Sequence, residues 1–445
     1  MKTNASARSA AFALAMGSLV GPWAAAADWP GFLGPQRNGK SAETGLLQAW
    51  PEAGPPLVWQ CPLGTGYTAP AVASGKLVEY GRFGDATRLT CRDARTGDEL
   101  WRSEHPTAYT DMLGYNDGPR CSPVIDGNRV YTHGAEGLLR CVGLADGEEV
   151  WRLDTSRRFH VVKNFFGVGS TPVVWQGLLI VNVGGSPPGG PSDVYAARGN
   201  VQGAGSGVVA FDKLTGKVRW QTTDELASYA SPVVVEQGGR PWCFVFARGG
   251  LVSLNPSSGE VDFQLPYRSA KLESVNASTP VAAVNRLFLS ETYEVGGATL
   301  EFGPGGHKLL WADRQRRRDK AMQLHWNTPI LHEGYLYGSS GRHSGSAELR
   351  CVDFQTGEVK WSEPGLARAS LLYADGRLVC LTEDGILRLL RPSPDKYDPV
   401  SEHRPVDDRG RRLLRGDAWV APVLSAGLLY VRGEDRLVCY DVRQR

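Results

Sequence analysis

The chain has 445 residues, of which 22% are charged and 42% hydrophobic, and it contains 54 glycines and 28 prolines. The apolar content excludes a disordered chain, and the frequent glycine and proline exclude a long coiled coil. The formal net charge is +2, and without the two basic residues near the N-terminus the chain is neutral, so no positive field for nucleic-acid binding is predicted.

The first 27 residues are predicted to be a secretory signal peptide. Lys2 and Arg8 precede an apolar run over residues 10–20, and alanines at 25–27 provide a small-residue cleavage pattern. The run is too short to span a bilayer, no later stretch is long enough, and the first cysteine that could carry a lipid, Cys61, is far away. We therefore expect cleavage near Ala27, a periplasmic or secreted protein without a transmembrane segment, and a lead-in over residues 28–56.

Two signatures repeat along the rest of the chain. In the first, a glycine is followed four residues later by an aromatic residue, at Gly97/Trp101, Gly147/Trp151, Gly216/Trp220, Gly259/Phe263 and Gly357/Trp361. In the second, a proline precedes a β-rich run, at Pro70, Pro123, Pro172, Pro232, Pro280, Pro329 and Pro422, with Leu371 in the proline position once. The eight starts recur every 42 to 60 residues, which indicates a repeat architecture.

Each unit is predicted to form four short antiparallel strands joined by glycine-bearing turns. Such units cannot cover their own faces and must stack, and radial closure hides their edges. The sequence therefore predicts an all-β, eight-bladed β-propeller over residues 57–445. The last unit stops after its third strand, and we expect residues 57–60 to supply its fourth, with Trp59 at the repeated aromatic position.

The pattern small-x-Asp-x-x-Thr-Gly-x-x-x-Trp, which runs from Cys91 to Trp101 and from Ala210 to Trp220, resembles the tryptophan-docking motif of secreted pyrroloquinoline-quinone (PQQ) repeat propellers. That superfamily includes quinoprotein alcohol dehydrogenases and the periplasmic propeller subunit of the outer-membrane β-barrel assembly machinery. The resemblance implies the fold more than the activity. The dehydrogenases carry adjacent cysteines over the quinone and inserted loops with calcium and a catalytic Asp. This chain has no adjacent cysteines and no segment for those roles, so its catalytic residues, if any, are unknown.

Most of the eight cysteines are interpreted as small packing residues, because Ala210 and Ser253 occupy the same repeat position as several of them. The ring closure brings one pair near each other. If residues 57–60 complete the last unit, Cys61 and Cys439 become approximate cross-strand neighbours, and a disulfide between them is a hypothesis. The histidines show no paired metal spacing, and no metal site is predicted.

A binding surface is predicted at one mouth of the central channel, because the first strand of each blade lines the channel of a propeller. The positions three residues before the unit starts are Tyr67, Arg120, Gly169, Tyr229, Ala277, Trp326, Arg368 and Trp419. The six aromatic and arginine residues among them are the predicted ligand-binding residues, since both types are enriched in hot spots; the alternative is that they pack against inter-blade loops. Four long insertions, at 103–119, 153–169, 184–206 and 391–419, should border the same face.

The resulting functional prediction is an exported protein-binding or assembly scaffold of the cell envelope, a monomer whose partner is an envelope protein or an extracytoplasmic polymer. No cofactor is predicted for this role. The alternative is a PQQ-dependent alcohol or sugar dehydrogenase with PQQ and calcium at the channel mouth. A third interpretation is a polysaccharide-binding accessory protein that uses the same aromatic ring.

Overall fold

The structure, a computed structural model, describes residues 28–316 and 319–444. The predicted signal peptide lies outside these residues. Within them the chain forms 32 strands, one short helix (α1, Thr155–Arg158) and two 3-10 turns, at Asp313–Gln315 and Ser344–Ser346. The described part contains no helix long and apolar enough to cross a membrane.

The first strand, β1, spans Leu57–Pro62, and the strands of blades 1 to 4 follow it in chain order. Blade 1 comprises β2 (Ala71–Ala73), β3 (Lys76–Phe83), β4 (Ala86–Asp93) and β5 (Glu99–Pro106). Blade 2 comprises β6 (Val124–Asp126), β7 (Arg129–His133), β8 (Leu138–Gly143) and β9 (Glu149–Asp154). Blade 3 comprises β10 (Val173–Trp175), β11 (Leu178–Asn182), β12 (Val208–Asp212) and β13 (Val218–Thr222). Blade 4 comprises β14 (Val233–Gln237), β15 (Arg240–Phe246), β16 (Gly250–Leu254) and β17 (Val261–Pro266).

The second half of the ring repeats this arrangement. Blade 5 comprises β18 (Val281–Ala283), β19 (Arg286–Glu291), β20 (Gly296–Gly303) and β21 (Gly306–Ala312). Blade 6 comprises β22 (Ile330–His332), β23 (Tyr335–Ser340), β24 (Glu348–Asp353) and β25 (Val359–Pro364). Blade 7 comprises β26 (Ala369–Ala374), β27 (Arg377–Thr382), β28 (Leu387–Leu390) and β29 (Pro399–His403). Blade 8 comprises β30 (Val423–Ser425), β31 (Leu428–Arg432), β32 (Arg436–Asp441) and, from the other end of the chain, β1.

All eight sheets are four-stranded and antiparallel, so the predicted eight-bladed β-propeller is confirmed. Seven of the eight predicted starts are prolines directly before the first strand of a blade, because proline fixes an extended approach and has no N–H to leave unpaired. The exception, Leu371, lies inside β26. The predicted closure is also confirmed: β1 pairs antiparallel with β32, with Trp59 opposite Cys439.

The first strand of each blade is innermost, and the fourth faces solvent. Neighbouring first strands contact one another: β2 contacts β6, and β10 contacts β14. The fourth strands mostly alternate exposed and half-buried residues, as in β9, where Val150 and Arg152 are exposed and Trp151 between them is half-buried. Charged residues on these outer edges discourage pairing with other chains.

Most adjacent blades are joined by a tryptophan that packs on a turn glycine of the next blade. The Trp101 Nε1–H donates to the Leu144 carbonyl at 3.0 Å, and a Cβ at Gly147 would lie 2.5 Å from the Trp101 ring. Gly147 has φ +75°, so the turn also requires the left-handed region that glycine tolerates. The same contact recurs for Trp59 with Gly97, Trp151 with Gly216, Trp220 with Gly259 and Trp311 with Gly357.

Two of the predicted repeat aromatics, Phe263 and Trp361, do not pack on a glycine of the next blade. Trp361 of blade 6 has no docking glycine, because the turn between β28 and β29 of blade 7 contains none. Its Nε1–H still donates to a carbonyl of that turn, Ser393 O at 2.8 Å, and its half-buried ring contacts Tyr397 edge to face at 6.0 Å. In blade 4 the aromatic is Phe263, whose ring lies 4.7 Å from that of His307 in blade 5. Both residues therefore join neighbouring blades, but they pack on a ring rather than on a glycine.

Candidate functional site: the channel mouth

The loops that precede the innermost strands surround a cavity of about 470 Å³ on one face of the ring, named here the mouth cavity. All eight positions of the predicted ring line it: Tyr67, Arg120, Gly169, Tyr229, Ala277, Trp326, Arg368 and Trp419. The repeat register brings them together because each lies three residues before a unit start, at the same height of the channel. Their placement is thus a structural finding, whereas ligand binding by them stays a prediction.

One wall of the mouth cavity is a ladder of aromatic rings from the loops that precede blades 1, 8 and 6. The Trp419 ring lies 4.8 Å from Tyr67 and 4.6 Å from Trp326, both at shallow angles. His325 continues the ladder at 4.9 Å from Trp326. The Trp326 Nε1–H donates to the Trp419 carbonyl at 3.1 Å. The Trp419 ring therefore has neighbours on two sides, and the ladder is a preformed wall rather than a set of free rings.

A buried ion pair supports this ladder from behind. The Arg368 Nε–H donates to Glu383 Oε2 at 2.8 Å, and the Trp419 Nε1–H donates to the same oxygen at 3.0 Å. The guanidinium also lies over the Trp326 ring, 4.2 Å from its centroid. Burial alone would raise the pKa of Glu383, but the hydrogen bonds from Arg368, Ser344 and Trp419 outweigh it and lower that pKa. Glu383 is therefore an ionised carboxylate whose hydrogen bonds fix the positions of Arg368 and Trp419 in this wall.

Titratable groups of the cavity are shifted toward their neutral forms. Burial, followed by the charges of Arg368 and Arg342, lowers the pKa of His325 to about 3. Burial raises the pKa of Tyr67 to about 12. Burial, together with the nearby Glu383 charge, raises the pKa of Asp417. The histidine and the tyrosine are therefore neutral at physiological pH, and they act by packing and hydrogen bonding.

The opposite wall is built around Arg120. Its Nη2–H donates to Asp111 Oδ2 at 2.6 Å, and the guanidinium lies within 6 Å of the ring centroids of Tyr67 and Phe166. The Tyr229 hydroxyl accepts a hydrogen bond from the Phe166 N–H at 2.7 Å. Arg120 links the two walls, because it contacts both the Tyr67 end of the ladder and the Phe166 cluster.

Two of the four predicted insertions, 103–119 and 153–169, contribute to the rim. The loop between blades 1 and 2 exposes Met112, Leu113 and Tyr115, whose exposed fractions are 37%, 44% and 60%. Leu113 and Tyr115 line the cavity, as do Phe165 and Phe166 from the next insertion. Tyr115 contacts Phe166 edge to face at 5.9 Å. The rim is thus an exposed apolar lip above an aromatic pocket.

The lead-in closes the inner end of the cavity, a role that the sequence did not reveal. Its backbone pairs with the free inner edges of the innermost strands: Trp29 with Val72, and Lys40 with Tyr373. The Ile125 N–H donates to the Pro30 carbonyl at 2.7 Å. Between these anchors, Phe32 and Leu33 face the cavity. The central channel is therefore filled from below, and ligands have access from the loop face.

The register of the closing blade corrects the disulfide hypothesis. Trp59, not Cys61, lies opposite Cys439, and Cys61 lies opposite Leu437. The two cysteines are diagonal neighbours, which are about 7–8 Å apart in antiparallel sheets and thus beyond usual disulfide geometry. Both are buried free thiols, and burial raises the pKa of each.

Comparison with known proteins connects this fold to a family. The sequence profile described as "Outer membrane protein assembly factor BamB" matches residues 85–363. The chain is 23% identical over 278 residues to the outer membrane protein assembly factor BamB of Yersinia pestis, an alignment that covers 59% of this chain and 63% of that protein. The chain thus spans less than two thirds of the length of this relative.

Solved structures share the propeller architecture. BamB from Moraxella catarrhalis superposes with a TM-score of 0.58 at 12% identity, over 87% of this chain and 98% of that one. The quinohemoprotein alcohol dehydrogenase of Comamonas testosteroni superposes with a TM-score of 0.53 at 15% identity, over 94% and 81%. Similarity at this level of identity shows the fold alone. The profile match extends over more than half of the sequence, and the chain belongs to the outer membrane protein assembly factor BamB family of PQQ-repeat propellers.

Proposed function

We propose that this protein is an exported scaffold of the cell envelope, where its loop face binds a segment of a partner protein during assembly of outer-membrane components. Family membership supports the setting, because the family carries the name of an outer-membrane assembly factor. The predicted signal peptide agrees with a periplasmic location. The partner in this proposal is an envelope protein that presents an aromatic or apolar side chain on an extended segment.

The observation that carries the proposal is the apolar rim above the mouth cavity. Met112, Leu113 and Tyr115 are exposed together, and exposed apolar clusters rimmed by polar groups mark interaction sites. Beneath them the Trp326–Trp419 ladder and Arg120 provide rigid aromatic and guanidinium contacts, the residue types that dominate interface energetics. Hydrogen bonds hold both walls before a partner arrives, so little ordering is needed on binding.

Site-specific photo-crosslinking in the cell envelope tests this proposal. A photoreactive phenylalanine at Tyr115 should form adducts with a defined envelope protein. The same group at Leu214, which is 56% exposed on a turn at the opposite face, should not. The double change Trp326→Ala and Trp419→Ala should strongly reduce the Tyr115 adduct while the ring stays folded. Equal adducts from both positions, or an adduct unaffected by the double change, would contradict binding at the mouth.

The quinone-dependent alternative has weaker support from the residues present. Calcium takes six to eight oxygen ligands, yet among the described residues no group of three or more His, Cys, Asp or Glu side chains is arranged to hold a metal. Glu383, the acid at the aromatic ladder, is engaged by Arg368 and Trp419. The Trp419 ring already contacts the rings of Tyr67 and Trp326, so the ladder is committed to packing within the protein. The donor set does not fit a calcium-assisted quinone, and we derive no catalytic step through one.

A titration separates the alternatives. Addition of PQQ to the mature protein, with and without calcium, is followed by tryptophan fluorescence. We expect no saturable quenching at tens of micromolar PQQ, a concentration at which a resident cofactor would bind. Calcium-dependent one-to-one quenching would instead favour the dehydrogenase. A matching titration with soluble oligosaccharides tests the polysaccharide alternative.

A further inference from the structure

A second cavity, of about 270 Å³, lies beside the mouth cavity among the loops of blades 2, 3 and 4. The loop over residues 161–169 separates the two: Lys163 and Asn164 face the second cavity, whereas Phe165 and Phe166 face the mouth. Among the residues described, none lines both cavities. The second cavity is therefore a separate compartment, named here the Arg248 cavity.

Arg248 brings a buried positive charge to this compartment. Its side chain is 2% exposed, and its Nη groups donate to Asn164 Oδ1 at 2.8 Å and to the Leu272 carbonyl at 2.9 Å. Both acceptors are neutral, and in the described part of the chain no carboxylate lies within ion-pair distance of the guanidinium. Burial, followed by the charge of Arg268, lowers the pKa of Arg248 to about 10. A buried cation is ordinarily paired, because desolvation without a counter-charge is costly.

The rest of the lining defines the size and charge of a ligand. Lys163 is exposed at the cavity, and within the described ranges its ammonium has no ion-pair partner. The lining contains one acid, Glu136, whose Oε1 lies 3.0 Å from His105 Nε2. The lining itself holds two cations against one acid, which favours an anionic ligand, and the charge of Lys163 also acts on Asp193 just outside the lining. Short apolar side chains form much of the remaining wall: Val161, Val162, Val168, Val194 and Leu226.

We propose that the Arg248 cavity binds the carboxylate of a ligand with a short apolar body, with Arg248 as the buried anchor and Lys163 as the second cation. Arginine binds carboxylates through parallel N–H donors, and the valine-rich wall accommodates a branched aliphatic group. The carboxylate belongs to a free small acid or to the C-terminal residue of a peptide, which share this chemistry. The site is distinct from the partner-binding mouth and does not depend on it.

Calorimetric titration with paired probes tests the proposal. The probes are N-acetyl-L-valine, its neutral amide of the same shape, and a flexible glycine–serine pentapeptide that ends in valine, with a free or an amidated C-terminus. We expect the free acid to bind at least about tenfold more tightly than the amide. Binding of the pentapeptide acid as well indicates a chain terminus, whereas binding of the small acid alone indicates a metabolite-sized ligand. Both results support carboxylate binding.

Variants test which residues bind the acid. Arg248→Met should weaken binding at least about tenfold, and the ring should stay folded because replacement of an unpaired buried charge by an apolar chain is tolerated. Lys163→Met should weaken binding about threefold, as expected for an exposed cation. Lys217→Met, an exposed lysine on the opposite face, is the matched control and should change nothing. If Arg248→Met unfolds the ring, the Lys163 and Lys217 pair still decides the question.

Three results would overturn the proposal. The first is equal binding of the acid and the amide at ligand concentrations up to about 10 mM, a range that includes weak ligands. The second is tighter binding of inorganic phosphate than of the acid. The third is an equal effect of Lys163→Met and Lys217→Met on acid binding. The variants Trp326→Ala and Trp419→Ala should leave acid binding intact, so failure of the mouth proposal and failure of this one are distinguishable.

Discussion

The indole of Trp59 packs on Gly97, and through this contact the blade shared by the two ends of the chain is joined to blade 1. The Trp59 Nε1–H donates to the Ala94 carbonyl at 3.2 Å, and Tyr430 of blade 8 donates its hydroxyl to the same carbonyl at 2.9 Å. Arg432 extends this joint, because its buried guanidinium donates to the carbonyls of Gly64 and Gly66. The closing interface thus uses the same tryptophan–glycine contact as most other blades.

Gly97→Ala should destabilise the ring more than an equivalent change elsewhere in blade 1. A Cβ at Gly97 would lie 2.7 Å from the Trp59 ring, and Gly97 has φ +78°. Gly75 has φ +73° with nothing within 4 Å of its Cβ position, so it isolates the backbone cost. We expect Gly75→Ala to cost about 1 kcal/mol and Gly97→Ala about 2–4 kcal/mol, since overpacking adds to that cost. Urea denaturation measures both, and equal losses would show that the tryptophan moves aside freely.

Trp59→Ala should weaken ring closure. Trp59 is 9% exposed, whereas Leu57 in the same strand is 47% exposed. Truncation of a buried tryptophan costs about 3–5 kcal/mol, and Leu57→Ala should cost less than about 0.5 kcal/mol. Hydrogen exchange of β32 amides reports the effect locally, and should speed up in the tryptophan variant alone. Unchanged exchange in that variant would mean that the backbone ladder between β1 and β32 closes the ring without the indole.

The repeat was readable from the sequence because local chemistry dictates it. The proline before seven of the eight first strands and the glycine four residues before most of the repeat aromatics are favoured by φ angles and close contacts, so their spacing predicted the blades and the ring of mouth residues. Trp311 was not found by the glycine–aromatic spacing, although it packs on Gly357 like the other docking tryptophans. Blade 5 has a short hairpin between Gly303 and Gly306 in place of the longer turn, so the spacing from glycine to tryptophan differs. Trp361 matched the pattern but lacks a glycine partner, because its partner turn belongs to the next blade and varies independently of its own.

Other features depended on long-range placement that no local pattern encodes. The lead-in contacts the inner edges of blades 1, 2 and 7, which are remote from it in sequence. In the sequence, nothing distinguishes Arg248 from the other arginines. Only the fold shows that it is buried with no carboxylate within ion-pair distance among the described residues. The disulfide hypothesis was wrong by two residues of strand register, which reversed the outcome because Trp59 occupies the position opposite Cys439.

The cysteines should behave as eight free, protected thiols. All eight are buried and free, and burial raises the pKa of Cys61 to about 11 and of Cys351 to about 12. Because the thiolate is the reactive form, we expect negligible alkylation of the native protein at pH 7.5. Alkylation in denaturant without reductant should modify all eight, as read by mass spectrometry. Six modified thiols in that sample would indicate a disulfide in solution.

Glu291 should make folding stability depend on pH in the direction opposite to that of a salt-bridged acid. It is 2% exposed, its Oε1 accepts from Ser274 at 3.1 Å and its Oε2 accepts from the Tyr293 N–H at 3.0 Å. Burial is the largest influence on this carboxyl and raises its pKa to about 7, although these hydrogen bonds and the charges of Arg268 and Arg342 oppose the shift. Between pH 4.5 and 7 the folded state therefore keeps a proton that the unfolded state has lost.

Stability contributed by this proton is present in acid and is lost as pH rises toward 7. Glu291→Gln mimics the protonated form at every pH. We expect the variant and the wild type to have similar unfolding free energies near pH 4.5, and the variant to become more stable by on the order of 1–3 kcal/mol above pH 7. Glu236→Gln, at an exposed glutamate of β14, is the control and should show no such trend. Urea denaturation at pH 4.5, 6 and 8 measures the difference, and a constant difference across this range would mean that Glu291 is ionised in the folded ring.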